Sequence, residues 1–315
     1  MPLTEFEGPY AGLLYEYVAY RTALGFVVPA STRRILRHMA DYLYTLPLIP
    51  EVVDRGRAEE ISAAREGESD RTRQSRFVAL RQLCLWLRRT GVGAYVPPPG
   101  QVRARNDFVP RIVSEDEMAR IIGVAESGTL PWVPMVLKVL WCTGIRVGEA
   151  AALRVGDLRL PDRTMYVAHA KNDRSRIIPI SATLASAAGE YLEARSRDTR
   201  PEAWLFPGKR PDKHRNKVGV GNTLRRVYRE AGVLTPDGRP IRTHDLRHSF
   251  AIRALEGMVE RGQDVYVTLP LLSAYMGHAN IYDTEYYLRL LPSSHQAIVE
   301  MEADVSLTVF GGGAS

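Results

Sequence analysis

Apolar residues in the first 95 positions recur at helical spacing, which predicts that this part of the chain is built from helices alone. The apolar stripes of the first two predicted helices are formed by Leu13, Leu14, Tyr17, Val18, Ile35, Leu36, Met39 and Leu43. Ser31 or Thr32 can cap the second of these helices with its hydroxyl group. A third helix is expected near residues 58–64.

The stretch DRTRQSRFVALRQLCLWLRRTG predicts a fourth helix that has one apolar and one basic face. Its apolar positions recur at helical spacing and are Phe77, Leu80, Cys84 and Leu87. Its basic side carries Gln74, Arg81 and Arg88 at intervals of seven, with Arg73, Arg76 and Arg89 close by. This pattern leaves two interpretations open: a solvated basic face, or a helix that lies against the DNA backbone, with the major groove as one location.

A change of composition follows in YVPPPGQVRARNDFVP. Three successive prolines and a glycine precede Arg103 and Arg105, which is typical of a basic linker that is first stiff and then flexible. We therefore predict a helical domain over residues 1–95, a linker over 96–109 and a second domain over 110–315.

The second domain is predicted to be mainly helical with a small antiparallel sheet, which places the chain in the α+β class. It opens with SEDEM, where Ser114 and Glu117 have the spacing of a capping box. An apolar helix follows in PMVLKVLWCTG. In RTMYVAHAKNDRSRIIPI the period changes, and two short strands rich in Val, Ile and Tyr are expected to flank a turn from Lys171 to Ser175.

Composition adds two expectations about location and partners. The 315 residues carry a net charge of +6, which makes a polyanion a reasonable partner. Cys84 and Cys142 lie in apolar surroundings, where small core residues of a reducing compartment are expected, with no disulfide and no metal-ligand spacing. No apolar run approaches the roughly 20 residues of a membrane span, and no signal-peptide pattern opens the chain. A cytoplasmic protein is expected.

Two motifs place cationic side chains where helices are predicted to begin. In TGIRVGEAAALRVGDL, Arg146 is expected in the first turn of a helix, where the helix dipole attracts anions, and Glu149 could hold its guanidinium. In RTHDLRHSFA, Thr243 is a plausible N-cap, and His244 and Arg247 share one face. Each motif alone is more often an ordinary surface feature, as is a lysine in a turn such as Lys171.

Taken together, these residues indicate one reaction. The stretch MGHANIYDTEYYLRL adds a histidine and three tyrosines after the cations. Arginines, histidines, a lysine and a tyrosine, with no carboxylate pair, suit the attack of a tyrosine on a phosphodiester. Guanidinium groups would stabilise the charge of the transition state, so neither a metal nor another cofactor is expected. Clustered cations are also expected to favour the phenolate form of the tyrosine, whose unperturbed pKa is about 10.

The order of the motifs resembles the tyrosine recombinase family, the phage-integrase type of site-specific recombinases. TGIRVGEAAALRVGDL is similar to the family's first arginine motif, and AKNDRSRIIPI to its lysine-bearing hairpin with the final Arg-x-x-Pro. HDLRHSFA matches the His-x-x-Arg-His motif, and MGHANIYDTEYYLRL resembles the closing Leu-Gly-His motif, with methionine in place of leucine. The resemblance covers essentially the whole chain and implies an N-terminal core-binding domain and an integrase-type catalytic domain that form a C-shaped clamp on DNA.

The resemblance also implies a role for each site residue. Arg146 and Arg247 would hold the scissile phosphate, Lys171 would protonate the leaving 5′-hydroxyl, His244 would assist proton transfer with the nucleophile, and His278 would hydrogen-bond the phosphate. Glu149 and His248 would support them. In the family the nucleophile follows the Gly-His histidine by nine positions, which is Tyr287 here. Tyr286 is the alternative, about 100° away around a helix, and Tyr282 is expected to pack or to be exposed before it.

The implied reaction is cleavage and rejoining of double-stranded DNA at specific sites through a 3′-phosphotyrosyl link, without ATP. A homotetramer on two duplexes, with a dimer at each site, is implied, and accessory or sister recombinase proteins are further partners that the resemblance allows. The paired tyrosines of DTEYYLRLLP resemble transposon-encoded members, and the apolar tail after Tyr287 could dock on its own core or on a neighbouring protomer. Two alternatives stay open: a catalytically silent DNA-binding accessory or regulatory protein, and a type IB topoisomerase.

Overall fold

The computed structural model describes residues 5–46, 51–104, 110–168, 175–195, 198–210, 212–278 and 280–290. The chain divides into two compact units, Met1–Phe108 and Val109–Ser315. Three features predicted from the sequence, Lys171, Arg105 and the apolar tail after residue 290, lie outside the described residues.

The first unit contains four helices: α1 (Ala11–Ala23), α2 (Ala30–Tyr44), α3 (Arg55–Ser62) and α4 (Asp70–Arg89). The apolar stripes predicted for them face a common core in which α4 packs against α2 and α3. Side-chain caps begin the last two helices: Asp54 accepts a hydrogen bond from the Arg57 amide, and Ser69 accepts one from the Thr72 amide. The cap predicted at Ser31 or Thr32 is not formed, because α2 already begins at Ala30 after Pro29.

A short pair of parallel strands accompanies these helices. Strand β1 (Glu51–Val53) pairs with β2 (Gly93–Ala94), and the Tyr95 amide donates to the Val53 carbonyl at 2.7 Å. The expectation of helices alone was therefore incomplete for this unit. Strands of two or three residues are too short to show an alternating pattern, and this pairing joins segments about 40 residues apart in the chain.

The second unit combines eight helices with one antiparallel sheet among its described residues, as the fold class predicted. Its helices are α5 (Glu115–Glu126), α6 (Trp132–Thr143), α7 (Val147–Ala151), α8 (Ala182–Ala194), α9 (Lys217–Glu230), α10 (Thr243–Glu260), α11 (Val265–Met276) and α12 (Tyr282–Glu285). Short 3-10 helices span Val155–Asp157 and Tyr286–Leu290. The sheet has the order β3 (Leu158–Arg159), β4 (Thr164–Val167) and β5 (Arg176–Pro179).

Helix α6 lies at the centre of the second unit. Most of its residues are apolar and buried, so it can be covered on nearly all sides, and α5, α8 and α10 all pack against it. Its outward positions are Lys138 and, four residues on, Cys142, which is exposed. The expectation that Cys142 is a core residue was wrong because the apolar neighbours in the sequence lie on the other faces of the helix, whereas Cys84 is buried as expected.

Two glycines end the helices that position the site. Gly144 follows α6 with φ +60°, and Gly277 follows α11 with φ +66°, a conformation that side chains disfavour. A Cβ atom at Gly144 would lie 2.4 Å from the Phe250 ring, so the close packing of α10 also requires glycine there. At these two turns, the carbonyls of Gly144 and Met276 both point toward the side chain of Arg247. No helix among the described residues is long and apolar enough to cross a membrane.

Candidate active site

Arg146 and Glu149 form a reciprocal pair at the beginning of α7. Arg146 is the N-cap residue, and its amide donates to Glu149 Oε2 at 2.9 Å while its Nη1 donates to Oε1 at 3.1 Å. The Arg146 guanidinium also donates from both Nη atoms to the Gly277 carbonyl at 3.2 Å. The predicted support of Arg146 by Glu149 is therefore present as a direct contact.

Arg247 is buried on α10, with 2% of its surface exposed. Its Nη1 donates to the Gly144 carbonyl at 2.7 Å and its Nη2 to the Met276 carbonyl at 2.8 Å. Burial, and then the charge of Arg146, lower the pKa of Arg247 to about 10, so the guanidinium stays protonated at neutral pH. In the part of the chain that the structure describes, no carboxylate forms an ion pair with it.

Three arginines donate hydrogen bonds to the backbone carbonyls at the C-terminal end of α11. Tyr275 accepts from Arg176 Nε at 2.7 Å, Met276 accepts from Arg247, and Gly277 accepts from Arg146. The carbonyls at a helix C-terminus lack helical partners and carry the negative end of the helix dipole, so cations are stabilised there. Three guanidiniums are brought together in this way although Glu149 is the one carboxylate in contact with them among the described residues.

Arg176, the first residue of β5, is a site residue that the sequence analysis did not select. Its Nη2 donates to Glu149 Oε2 at 3.1 Å and its Nη1 to Oε1 at 3.4 Å. Burial raises the pKa of Glu149, but the hydrogen bonds from Arg176 and from the Arg146 amide outweigh it and hold the pKa below its usual value. The Arg-x-x-Pro ending of the hairpin motif was the signal that could have identified Arg176.

Tyr287 is buried, with 3% of its surface exposed, in the 3-10 helix that ends the described chain. Its hydroxyl forms a hydrogen bond of 2.9 Å with Nδ1 of His248, whose ring lies edge-on against His244 at 4.7 Å between centroids. The expected partner of the nucleophile was His244, but His248 is the residue in contact. Both histidines lie on α10, where a separation of four residues places them on one face.

The pKa of the Tyr287 hydroxyl differs from the sequence expectation. Burial raises this pKa to about 12, and the positive charge of Arg247 opposes the rise without cancelling it. Clustered cations were expected to favour the phenolate, but the tyrosine is removed from water more strongly than they compensate. Tyr287 is therefore protonated at neutral pH in this arrangement and needs a proton acceptor in order to react.

The three histidines of the cluster are neutral at pH 7. Burial, with a further contribution from His244, lowers the pKa of His248 to about 4. Burial and the charge of Arg247 lower the pKa of His244 to about 4 as well. Burial and the charge of Arg247 lower the pKa of His278 to about 3. His278 Nδ1 forms a hydrogen bond of 2.6 Å with the Thr284 hydroxyl, and its ring stacks at 6.4 Å from that of Tyr287.

The other two tyrosines of this segment occupy different surroundings. Tyr282 begins α12 and is exposed. Tyr286 is half-buried and contacts Tyr287 edge-on with ring centroids 6.1 Å apart. The exposed Tyr282 is therefore unlike Tyr287, whose hydroxyl lies within the histidine cluster. The predicted N-cap of α10 also shifts by one residue, because the Arg242 amide, rather than that of Thr243, donates to the Asp245 carboxylate at 2.8 Å.

The basic residues predicted on α4 separate into internal and exposed groups. Arg76 is buried in an ion pair with Glu68, and its Nη2 also donates to the Ala63 carbonyl at 2.8 Å. The guanidinium of Arg76 is thus used inside the unit, so a contact with DNA would require these bonds to break, and that contact stays a prediction. Arg73 and Arg81 are half-buried and donate to the carbonyls of Ser62 and Pro97.

Exposed cations in the first unit include arginines of α2, of α4 and of the segment after α4. Arg88 and Arg103, both predicted DNA contacts, are exposed. Arg34 and Arg37 of α2 are exposed as well, and the sequence analysis did not select them. The pattern STRRILRH was a usable signal, because its arginines alternate with the buried Leu36 at helical spacing.

Comparison with known proteins identifies one family. Residues 111–293, more than half of the chain, match the phage integrase family model. A protein of Sinorhizobium fredii described as an integrase/recombinase (y4rE) is 32% identical over 196 residues, which cover 59% of this chain and 62% of its own length. Tyrosine recombinase XerA of Pyrococcus horikoshii is 30% identical over 204 residues, 65% of either chain. The matches span 62% to 66% of the first four curated relatives.

Solved structures share the fold. The integrase of the Tn1549 transposon in complex with a circular intermediate DNA matches with a TM-score of 0.68 at 16% identity, over 92% of this chain and 98% of that one. A recombinase named XerH, bound to its palindromic difH substrate, matches with a TM-score of 0.65 at 18% identity, over 94% of this chain and 83% of that one.

Proposed function

Because the chain belongs to the phage integrase family, we propose that it is a site-specific tyrosine recombinase, which cleaves and rejoins double-stranded DNA through Tyr287. The observation that carries the proposal is the cluster around the buried Tyr287, in which Arg146 and Arg247 are held by backbone carbonyls at one helix end. An excess of positive charge in a largely buried site favours an anionic ligand, and the phosphodiester is the anion that a tyrosine can attack.

The two arginines are the proposed phosphate clamp. Each uses its terminal nitrogens on backbone carbonyls, so its orientation is fixed before the substrate arrives. A guanidinium has five N–H donors, and the donors that remain are available for the non-bridging oxygens of the phosphate. Donors that need no reorganisation stabilise the additional charge of the pentacoordinate transition state most effectively. His278, neutral and stacked beside Tyr287, is proposed as a further hydrogen-bond partner of the phosphate.

The proposed reaction exchanges one phosphodiester for another. The Tyr287 oxygen attacks the phosphorus, the bond to the 5′-oxygen breaks, and a 3′-phosphotyrosyl link forms. The phenolic proton passes to a base, and the leaving 5′-oxygen takes a proton, for which Lys171 is proposed on the resemblance alone. Because one ester replaces another, the reverse attack by a 5′-hydroxyl of a second strand rejoins the DNA without ATP.

His248 is the proposed first acceptor of the phenolic proton. Its Nδ1 already contacts the Tyr287 hydroxyl. Because its pKa is about 4, the imidazole is neutral at pH 7 and can accept a proton. His244 packs against His248 and lies at the more exposed end of the pair. It is proposed to act behind His248 rather than directly on the tyrosine.

Double-stranded DNA is the proposed substrate and partner. Structural relatives are described as complexes with transposon DNA, with a circular intermediate and with a difH substrate. In the first unit, Arg34, Arg37, Arg88 and Arg103 are exposed and can contact phosphates. The proposed assembly is a dimer at each site and a tetramer on two duplexes, acting on DNA in the cytoplasm. Accessory or sister recombinase proteins are further proposed partners.

Plasmid recombination tests this function. The protein is incubated with a supercoiled plasmid that carries two copies of the DNA flanking its own gene, and products are mapped by sequencing across the junctions. Recombinant junctions are expected, with none from Tyr287→Phe and wild-type levels from the matched control Tyr282→Phe. Relaxation of any plasmid without junctions would indicate a topoisomerase, and specific binding without any cleavage would indicate an accessory protein; either result overturns the proposal.

A further inference from the structure

Arg176 connects three parts of the site that lie far apart in the sequence. It contacts both carboxylate oxygens of Glu149 on α7, and its Nε donates to the Tyr275 carbonyl at the end of α11. Gly277, two residues further, lies so close that a Cβ atom there would be 2.7 Å from Arg176 Nη1. The side chain of Arg176 is largely buried, so these contacts are shielded from water.

Glu149 is held from two sides through this connection. Each of its oxygens accepts from Arg176, and each also accepts from Arg146, Oε1 from the guanidinium and Oε2 from the amide. A buried carboxylate that is shared by two guanidiniums neutralises neither of them completely. Without Arg176, Glu149 would satisfy its charge with Arg146 alone and would draw that guanidinium toward itself.

The place of Arg176 in the chain adds to its importance. It is the first residue of β5 and pairs with Val167, the last residue of β4. The segment that contains Lys171 joins these two residues. The strand end at which that segment returns to the sheet is therefore fastened to Glu149 and to the end of α11.

We propose that Arg176 is a positioning residue for strand cleavage: it holds Glu149 and the Gly277 turn in place, and so orients the Arg146 guanidinium and His278 toward the scissile phosphate. The inference rests on the proposed function, because it gives Arg176 a task in that reaction. Arg176 acts through these residues and makes no contact with Tyr287 among the contacts of the described chain. A lysine cannot replace it, because a single ammonium group cannot reach two carboxylate oxygens and a carbonyl with this planar geometry.

Single-turnover cleavage tests the proposal. The substrates are nicked duplexes tiled across the DNA that flanks the gene, and the readouts are the rate of covalent adduct formation and, separately, the DNA dissociation constant. Arg176→Ala is expected to lower the rate about 100-fold, the scale of one lost transition-state contact, and to change the dissociation constant less than about threefold. Arg176→Lys is expected to recover only part of the rate. The matched control is Arg159→Ala, an exposed arginine of the same sheet.

A double-mutant cycle with Glu149→Ala separates positioning from general stability. Because Arg176 acts partly through Glu149 and partly through the Tyr275 carbonyl beside Gly277, its replacement should cost about tenfold, rather than about 100-fold, once Glu149 is absent. An equal loss with and without Glu149, a loss in DNA affinity alone, or wild-type cleavage by Arg176→Ala would overturn the inference. If Arg176→Ala does not fold, as judged by thermal melting, Arg176→Lys replaces it in the cycle with the same criteria. A wild-type protein that forms no adduct would instead overturn the proposed function on which the inference rests.

Discussion

Among the described residues, the arginine with the least exposed surface is Arg76 in the first unit and Arg247 in the second, and the partners of these two arginines differ. In the first unit, Arg76 is 4% exposed and is matched by the carboxylate of Glu68. In the second unit, Arg247 is 2% exposed and is held by the carbonyls of Gly144 and Met276, with no ion pair to a carboxylate among the described residues. The first charge is neutralised inside the fold, whereas the second is held in place by neutral carbonyl groups.

The type of partner separates these two arginines: a carboxylate neutralises a cation within the fold, whereas carbonyls hold it without neutralising it. The Arg76 guanidinium also holds the pKa of Glu68 below its usual value through their hydrogen bond, as expected for a closed pair. Arg247 has its own pKa lowered by burial and by Arg146, which means that the fold tolerates an unfavourable charge there. The proposed phosphate would offset such a charge, and strongly shifted ionisable groups often mark functional sites.

The largest expected effect is that of Arg247. Arg247→Ala should lower single-turnover cleavage of a nicked duplex by about 1000-fold, because a preorganised donor pair to the transition state is lost. Arg247→Lys should restore little of this rate, since an ammonium group cannot hold both carbonyls and the phosphate. Gel-resolved adduct formation over time gives the rate. If Arg247→Ala cleaves at a rate within about tenfold of wild type, Arg247 is not a phosphate-binding residue of this site.

A smaller effect, and one of a different kind, is expected for Arg76. Arg76→Ala leaves the half-buried Glu68 without its partner, so the free energy of unfolding measured in urea should fall by about 2 kcal/mol. The double variant Arg76→Ala, Glu68→Ala should recover part of that loss, because no unpaired charge then remains. The folded protein should cleave DNA at the wild-type rate. Unchanged stability together with weaker, less salt-dependent DNA binding would show that Arg76 is a DNA contact after all.

Hydrophobic patterning predicted most of the elements because each long helix has one face to bury. The stripes of α2 and α4 and the strands on either side of the Lys171 segment follow directly from it. The pairing of β1 with β2 was missed because it depends on a contact between distant segments of two or three residues. The exposure of Cys142 was missed because an apolar stretch of sequence does not reveal which helix face stays uncovered.

The cationic motifs predicted which residues meet at the site, but not how they contact one another. Arg146, His244, Arg247, His278 and Tyr287 come from three separate motifs, and the order of these motifs was sufficient to group them. The assignment of His248 rather than His244 to Tyr287 depends on the rotation of α10. The contacts of Arg176 depend on where α11 ends, and the high pKa of Tyr287 depends on its burial. Neither property can be read from the neighbouring residues in the sequence.

The most direct test of the central claim is to identify the amino acid that becomes linked to DNA. Nicked duplexes from the DNA flanking the gene are incubated with the protein in EDTA, and the denaturant-resistant adduct is digested and mapped by mass spectrometry. We expect a phosphotyrosyl link at Tyr287, absent from Tyr287→Phe and retained in Tyr286→Phe. An adduct at Tyr286, or specific binding to these duplexes without any adduct, would contradict the assignment of Tyr287 as the nucleophile held by this cluster.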